Sequence, residues 1–271
     1  GTPTSPSCSF LSADAKRRPE VTGPTPDTIE SLRPALLQGL RDLSDIGELP
    51  PFIRSDLQEL AGELLHYTAE LYRFNPKLGL VDAGPQEFVY AHLLDSLAPL
   101  YQLPEEIRKL FREEARGIDV GSGAGLPGIP AALATPRVRW TLLDRSGRRC
   151  GFLRNVSAVL GKSSLTVIQG ELREAGKRVE QSGRFDLLLA RAFRPLTSRI
   201  YGDMTSLVRG GGAILLYKGR LSQAEEELGE LRSELFRRGE DPPPAEVRNI
   251  IVPGLDRERC LVILRSANAD A

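Results

Sequence analysis

Residues 117–130 read G-I-D-V-G-S-G-A-G-L-P-G-I-P, with three glycines at alternate positions between an apolar run and a proline. Ile118, Asp119 and Val120 have the pattern of the end of a buried strand. Gly121, Gly123 and Gly125 reach positive φ without strain and let a ligand approach the backbone closely. Pro127 suits the first position of a helix, where its missing N–H costs nothing. A strand, a glycine turn and a helix N-terminus form a nucleotide-binding corner. An ordinary tight turn would use the same residues, so the corner alone does not decide. The third glycine falls at Gly125 and Leu126 follows it, which departs from the G-x-G-x-x-G pyrophosphate fingerprint. The spacing favours a nucleoside ligand without a pyrophosphate, S-adenosylmethionine first among them.

Asp144 ends the next apolar run, about twenty residues past the glycine turn, where an acid binds ribose hydroxyls. An Asp also suits a helix N-cap; the ribose role is favoured here. Arg145 beside it raises a 2′-phosphate and NADP, a reading that the glycine spacing disfavours. Arg191 lies in A-R-A-F-R-P at the end of the fourth apolar run. Ligands of open α/β sheets bind at the carboxyl ends of strands, so this Arg, next to Phe193, is placed to pin a carboxylate or phosphate. The alternative is an Arg snorkelling from a sheet edge. His92, Asp95 and Ser96 fall within one helical turn. They form either a solvated face with a local His–Asp contact or a polar patch toward the cleft.

Certain residues are missing. Enzymes that methylate exocyclic amines carry an Asn or Asp, two prolines and an aromatic residue where this chain has Ala190–Pro195. Neither Cys150 nor Cys260 follows a proline, as a cytosine C5 nucleophile would. An amine or a carbon needs a base or a nucleophile. Guanine N7 presents an in-plane lone pair and no proton, so alignment with a sulfonium methyl is enough, and positioning supplies much of such a barrier.

These residues need a scaffold. Strands are predicted at Ile118–Val120, Val138–Leu143, Leu165–Gln169, Phe185–Ala190 and Ala213–Tyr217. Helices are predicted between them at Pro127–Ala134, Gly147–Leu160, Leu172–Val179 and Leu196–Val208. Such alternation implies a parallel sheet covered on both faces. A helix over Ser222–Arg238 follows, and strands over Val247–Val252 and Cys260–Leu264 are joined by a hairpin-like turn. A parallel nucleotide-binding sheet closed by an antiparallel hairpin is the outline of an α/β, class I methyltransferase. Upstream, Ser55 and Gln58 form a capping box for a helix over Ser55–Phe74, a second helix covers Pro85–Leu100, and Asp27–Leu43 is a short or broken helix. Residues 1–26, rich in Pro, Ser, Thr and Gly, are expected to be a disordered tail. Residues 27–114 form a helical N-terminal region and residues 115–271 the methyltransferase domain.

The formal net charge of zero hides an asymmetry: residues 27–114 carry −8 and residues 141–220 carry +9. The basic part suits a polyanion. In a parallel-sheet topology Arg145, Arg148, Arg149, Arg194, Arg199, Lys218 and Arg220 flank the mouth of the cleft. The three cysteines show no C-x-x-C spacing and there are two histidines, so neither a metal site nor a disulfide framework is expected. No apolar run is long enough to span a membrane, and the start has no basic segment followed by an apolar core. A cytoplasmic monomer is expected.

With these motifs in hand, the chain resembles RsmG, the bacterial small-subunit ribosomal RNA guanine-N7 methyltransferase family, also called glucose-inhibited division protein B. The matching segments are H-L-L-D-S-L from His92, the run 118–130, T-L-L-D-R-S-G-R-R-C-G-F-L from Thr141, A-R-A-F from Ala190, and Lys218-Gly219. The resemblance implies transfer of a methyl group from S-adenosylmethionine to guanine N7 of 16S ribosomal RNA near the decoding region. Its partner would be that RNA or a small-subunit precursor. It implies cofactor binding by Gly121, Leu126, Asp144, Leu172 with Arg173, and Arg191. From the residues themselves, Ser122 and Gly123 of the glycine turn are expected to bind the cofactor too, Arg191 to be catalytic, and His92, Arg194 and Lys218 at the cleft to contact RNA. Gly79-Leu80-Val81 replaces the family's Asn-Leu-Thr, and Arg173 replaces its usual Glu, with Glu171 and Glu174 nearby. A small-molecule methyltransferase and a non-catalytic RNA-binding or S-adenosylmethionine-sensing paralogue are the alternatives.

Overall fold

Leucines that recur every three to four residues near the start of the chain form helices, and their apolar stripes turn to a common core. A computed structural model describes residues 24–46, 50–176 and 183–266. Most of the expected N-terminal tail lies outside the described residues, and Pro26 already opens a helix. The broken helix is two helices, α1 (Pro26–Glu30) and α2 (Arg33–Asp45). The ring of Pro34 would clash with the carbonyl of Glu30, so the first helix stops there. Helix α3 (Leu57–Leu78) starts later than expected, because Asp56 rather than Ser55 caps it, accepting the Glu59 N–H at 2.9 Å. Leu60, Leu64, Leu65 and Leu71 form its buried stripe.

The helix predicted over 85–100 is present but not uniform. It runs as α4 (Pro85–Phe88), a wider π-helical turn over Val89–Leu94, and α5 (Asp95–Tyr101). A π-turn is rare and occurs often at functional sites. A short helix α6 (Glu105–Arg108) leads into the sheet.

Strands β1 (Arg116–Val120), β2 (Arg139–Asp144), β3 (Leu165–Gln169), β4 (Phe185–Arg191) and β5 (Val208–Lys218) are parallel. Helices α7 (Gly128–Ala134), α8 (Gly147–Val159) and α9 (Ser198–Thr205) connect them, with a helical turn over 172–176; the rest of the predicted helix 172–179 lies outside the described residues. Pro127 is the cap residue before α7, one position earlier than expected. Helix α10 (Leu221–Arg237) precedes β6 (Ala245–Asn249) and β7 (Cys260–Arg265), which form the predicted antiparallel hairpin. The order is β3-β2-β1-β4-β5-β7-β6. Chain direction across the sheet reverses between β1 and β4, and the crevice at such a switch point is where open α/β sheets bind ligands. This is the class I methyltransferase architecture.

Strand alternation divides the sheet between two cores. Leu142, Leu187, Leu189 and Leu215 join Leu36, Leu40, Leu60, Leu64 and Leu93 of the N-terminal helices in one cluster. Ile118, Val120, Leu188 and Leu216 face the other way, onto Leu228, Leu231 and Leu235 of α10. The acidic helical region therefore packs on one face of the sheet and shares its core.

Gly117 shows how tightly the first face is packed, since a Cβ there would lie 2.5 Å from the ring of the fully buried Trp140. Overpacking of this kind costs about 1–3 kcal/mol. Gly117→Ala should lower the urea midpoint of unfolding accordingly; an unchanged midpoint would show that the ring moves aside freely.

Candidate functional site

The glycine turn is built as the spacing predicts. Gly121, Gly123 and Gly125 have φ of 75°, 58° and 94°, values that favour glycine. The Gly121 N–H donates to the Leu143 carbonyl at 2.8 Å, hooking the turn onto β2. From the other side the Tyr67 hydroxyl of α3 donates to the Ala124 carbonyl at 2.8 Å. Ser122 is buried and its hydroxyl donates to the Asp119 carbonyl, so this side chain braces the turn from within. Leu126 is half-buried against the core.

Asp144 ends β2 beside this turn. One carboxylate oxygen accepts the Gly123 N–H and the other the Ser146 N–H, both at 2.8 Å. The cap of α8 is Ser146, whose hydroxyl accepts from the Arg149 N–H, so Asp144 is not a helix cap. Each of its oxygens keeps lone-pair capacity, and the residue lines a cleft of about 600 Å³ with Gly121, Leu172, Arg173, Phe193 and Arg194. The Phe193 ring lies over Gly121, where a Cβ would come within 3.0 Å of it. Glu171 and Arg173 share the wall, whereas Glu174 borders a shallower depression beside it.

Below the turn, sequence reasoning missed Asp119. The residue is fully buried; its Oδ2 accepts the Gly128 N–H at 3.1 Å, and its Oδ1 has no hydrogen-bond partner among the described residues. Burial pushes this carboxyl up to about 7, although the nearby Ser122 hydroxyl and the Gly128 N–H oppose the shift. A lone Asp within an apolar strand was the one available signal.

Arg191 joins the sheet to the N-terminal helices. Its Nη2 donates to the Ala91 carbonyl at 2.9 Å, pairs with Asp95 Oδ2 at 3.0 Å and lies 3.1 Å from His92 Nδ1. Its Nη1 donates to the Ser96 hydroxyl and the His92 carbonyl. The guanidinium thus faces the π-turn, and its terminal nitrogens are committed to it. Burial, reinforced by Arg191 and Arg259, pushes His92 down to about 4, so its ring is neutral at pH 7 and Nδ1 accepts. His92, Asp95 and Ser96 do gather on one side, and what they gather around is Arg191.

Arg194 is exposed at the cleft mouth, 3.9 Å from Glu171. Arg145, Arg149 and Arg199 line the same cleft and are also exposed. Lys218 is half-buried and paired with Glu227 at 2.5 Å. Lys218 and Arg191 line a second, smaller cavity. Asn75 holds the 79–81 segment, accepting from the Leu80 and Val81 N–H groups and donating to the Val81 carbonyl. Among the described residues no group of three or more His, Cys, Asp or Glu is placed to hold a metal ion.

The chain is similar to known proteins. A family model described as GidB: rRNA small subunit methyltransferase G matches residues 61–241. A ribosomal RNA small subunit methyltransferase G of Stenotrophomonas maltophilia is 36% identical over 206 residues, 75% of this chain and 85% of its own length. One from Lactobacillus delbrueckii subsp. bulgaricus is 32% identical over 204 residues, 75% of this chain and 82% of its own. Among solved structures, an Aeropyrum pernix fibrillarin with natively bound S-adenosyl-L-methionine is 18% identical, with a TM-score of 0.45, over 63% of this chain and 72% of that one.

The raised carboxyl of Asp119 carries a sign. Its folded value of about 7 exceeds the ordinary 3.8, so folding takes up a proton between these values. Its contribution to stability is present below about pH 4 and is lost as pH rises toward 7. Asp119→Asn should therefore gain stability relative to wild type as pH rises from about 4 to 7. Melting curves across that range check this; a constant difference would remove the proton linkage.

Proposed function

Because the chain belongs to the rRNA small subunit methyltransferase G family, we propose that it transfers a methyl group from S-adenosylmethionine to guanine N7 of 16S ribosomal RNA near the decoding region. The observation that carries the donor half is the cleft itself. Asp144 and the glycine turn face one another across the carboxyl ends of β1 and β2, and the acid is fixed by two backbone donors with acceptor capacity to spare. That arrangement fits a ribose with two hydroxyls. Leu172 and Phe193 offer apolar surface for adenine, and Gly121 lets the ligand reach the backbone.

Bound there, S-adenosylmethionine supplies an electrophilic methyl on a sulfonium. A guanine N7 offers an in-plane lone pair and carries no proton, so the chain need supply no general base. The chain's task is alignment. Arg191, engaged by the π-turn, acts as a positioning residue that holds the helix bearing His92, Asp95 and Ser96 at the end of β4. The exposed arginines at the mouth, Arg145, Arg149, Arg194 and Arg199, suit a phosphate backbone and disfavour a small neutral substrate. Lys218 reaches RNA only by leaving Glu227, and His92 would act through its ring as a neutral group. A ribosomal RNA acceptor is met in the cytoplasm, and no described helix is long and apolar enough to cross a membrane.

Transfer of labelled methyl to small-subunit RNA, with N7-methylguanine mapped by its selective strand cleavage, tests the reading. One modified guanine is expected; label on another atom, or none on RNA, would sink it. Asp144→Asn loses a charge-assisted bond worth about 1.5–3 kcal/mol, so S-adenosylmethionine affinity should fall roughly ten- to hundredfold by calorimetric titration. Unchanged affinity in a folded variant would leave Asp144 with the loops alone. Arg194→Glu should weaken RNA binding and flatten its dependence on salt while cofactor affinity holds; an unchanged salt slope would place the RNA elsewhere.

A further inference from the structure

Beyond the donor cleft lies a second cavity of about 240 Å³, walled by parts of the chain that the nucleotide-binding corner does not use. Asp95 and Pro99 come from α5, Tyr217 and Lys218 from the end of β5, and Ile250 and Arg259 from the hairpin region. The two cavities share one wall residue, Ala192. This alanine has a φ of 50°, in the left-handed region that a side chain rarely adopts, and such backbone strain gathers at functional sites. A group seated in the second cavity thus neighbours one seated in the first.

The polar groups of this cavity are arranged in pairs. Asp95 is buried, with Oδ2 on Arg191 at 3.0 Å and Oδ1 on Arg259 Nε at 2.9 Å. Lys218 is held by Glu227. Asp95 serves two guanidiniums, so one positive charge remains in the wall, carried by groups whose donors are already engaged by protein. Pro99, Tyr217 and Ile250 supply apolar wall, and the volume has room for one base. Two guanidinium donors leave acceptor capacity on the Asp95 carboxylate, which takes hydrogen bonds and gives none. The edge of guanine that carries N1–H and the 2-amino group offers donors only at those positions. Adenine presents a bare N1 lone pair there, which a carboxylate repels. The edge carrying N7 points the other way.

We propose that this second cavity receives the target base, turned out of its stack, and that Asp95 reads its N1–H and 2-amino edge so that N7 is left toward the methyl donor. Enzymes that act on a base reach it in this extruded form and read its Watson–Crick edge. The assignment rests on the methyl-transfer reading above and adds to it a specificity-determining residue.

The test uses the full chain and small-subunit RNA in which the guanosine at the mapped methylation position is replaced by inosine. Inosine keeps N7, O6 and N1–H and lacks only the 2-amino group. Wild type should methylate the inosine RNA with kcat/KM roughly ten- to hundredfold lower, the loss of one hydrogen bond to a charged group. In Asp95→Asn the guanosine rate should fall and the preference over inosine should shrink toward one, with S-adenosylmethionine affinity retained. Equal use of the two RNAs by wild type overturns the proposal, as does a folded, cofactor-binding Asp95→Asn that keeps the full preference. Should Asp95→Asn fail to fold, the wild-type comparison decides alone. Methylation of guanosine RNA without discrimination leaves the methyl-transfer reading standing; methylation of neither RNA removes that reading and the base pocket together.

Discussion

The structure depends on where the Arg191 guanidinium is allowed to be. Its side chain is 17% exposed, so its charge and its donors must be met by protein. The π-turn meets them: the Ala91 and His92 carbonyls, the Asp95 carboxylate, the Ser96 hydroxyl and a neutral His92 nitrogen converge on one planar group. Removing one partner from such a buried pair leaves an uncompensated charge, at a cost of about 3–5 kcal/mol. The same contact fixes the N-terminal helices against the end of β4. Tyr217, opposite Arg191 in the β4–β5 register, repeats the attachment by donating to the Ser96 carbonyl at 3.1 Å.

Two cavities flank the β4 terminus, and only the second follows from this attachment. The donor cleft needs only the parallel part of the sheet and its loops. The second cavity needs two additions to that core: the helical region, which supplies Asp95, and the antiparallel hairpin, which supplies Arg259. Asp95 bridges Arg191 and Arg259, so a single carboxylate ties the helix, the parallel sheet and the hairpin together. The charge asymmetry along the chain has a matching physical sense. Of the acidic part, Glu70 and Asp95 are buried and Glu30, Glu59, Glu63, Glu105, Glu106 and Glu114 are held in ion pairs, while exposed arginines stand at the mouth of the cleft.

Strand and helix order was legible in the sequence because apolar periodicity and glycine placement are local properties. The errors have local causes too. Asp56 outcompetes Ser55 as a cap, and β5 starts at Val208 because Arg209–Gly212 can extend although they carry no apolar signal. Asp144 was legible from its distance to the glycine turn, but its two backbone donors were not, since they come from separate loops. The opposite held for His92, Asp95 and Ser96. Their shared helical face was visible, and their common partner, some hundred residues along the chain, was not.

What the sequence determined by itself was the chemistry available: a backbone that admits a nucleoside, an acid for its ribose, an arginine at a strand end, and no base or nucleophile that would point to a harder acceptor. Residue types and short spacings carry that information because conformational preference and hydrogen-bonding capacity belong to the residues themselves. The direction of the Arg191 guanidinium, the π-turn that receives it, the burial of Asp119 and the meeting of Asp95 with Arg259 were decided only in the tertiary structure. Each depends on groups far apart in the chain competing for one buried donor or acceptor. The outcome of that competition is set by desolvation and packing, which no local stretch contains.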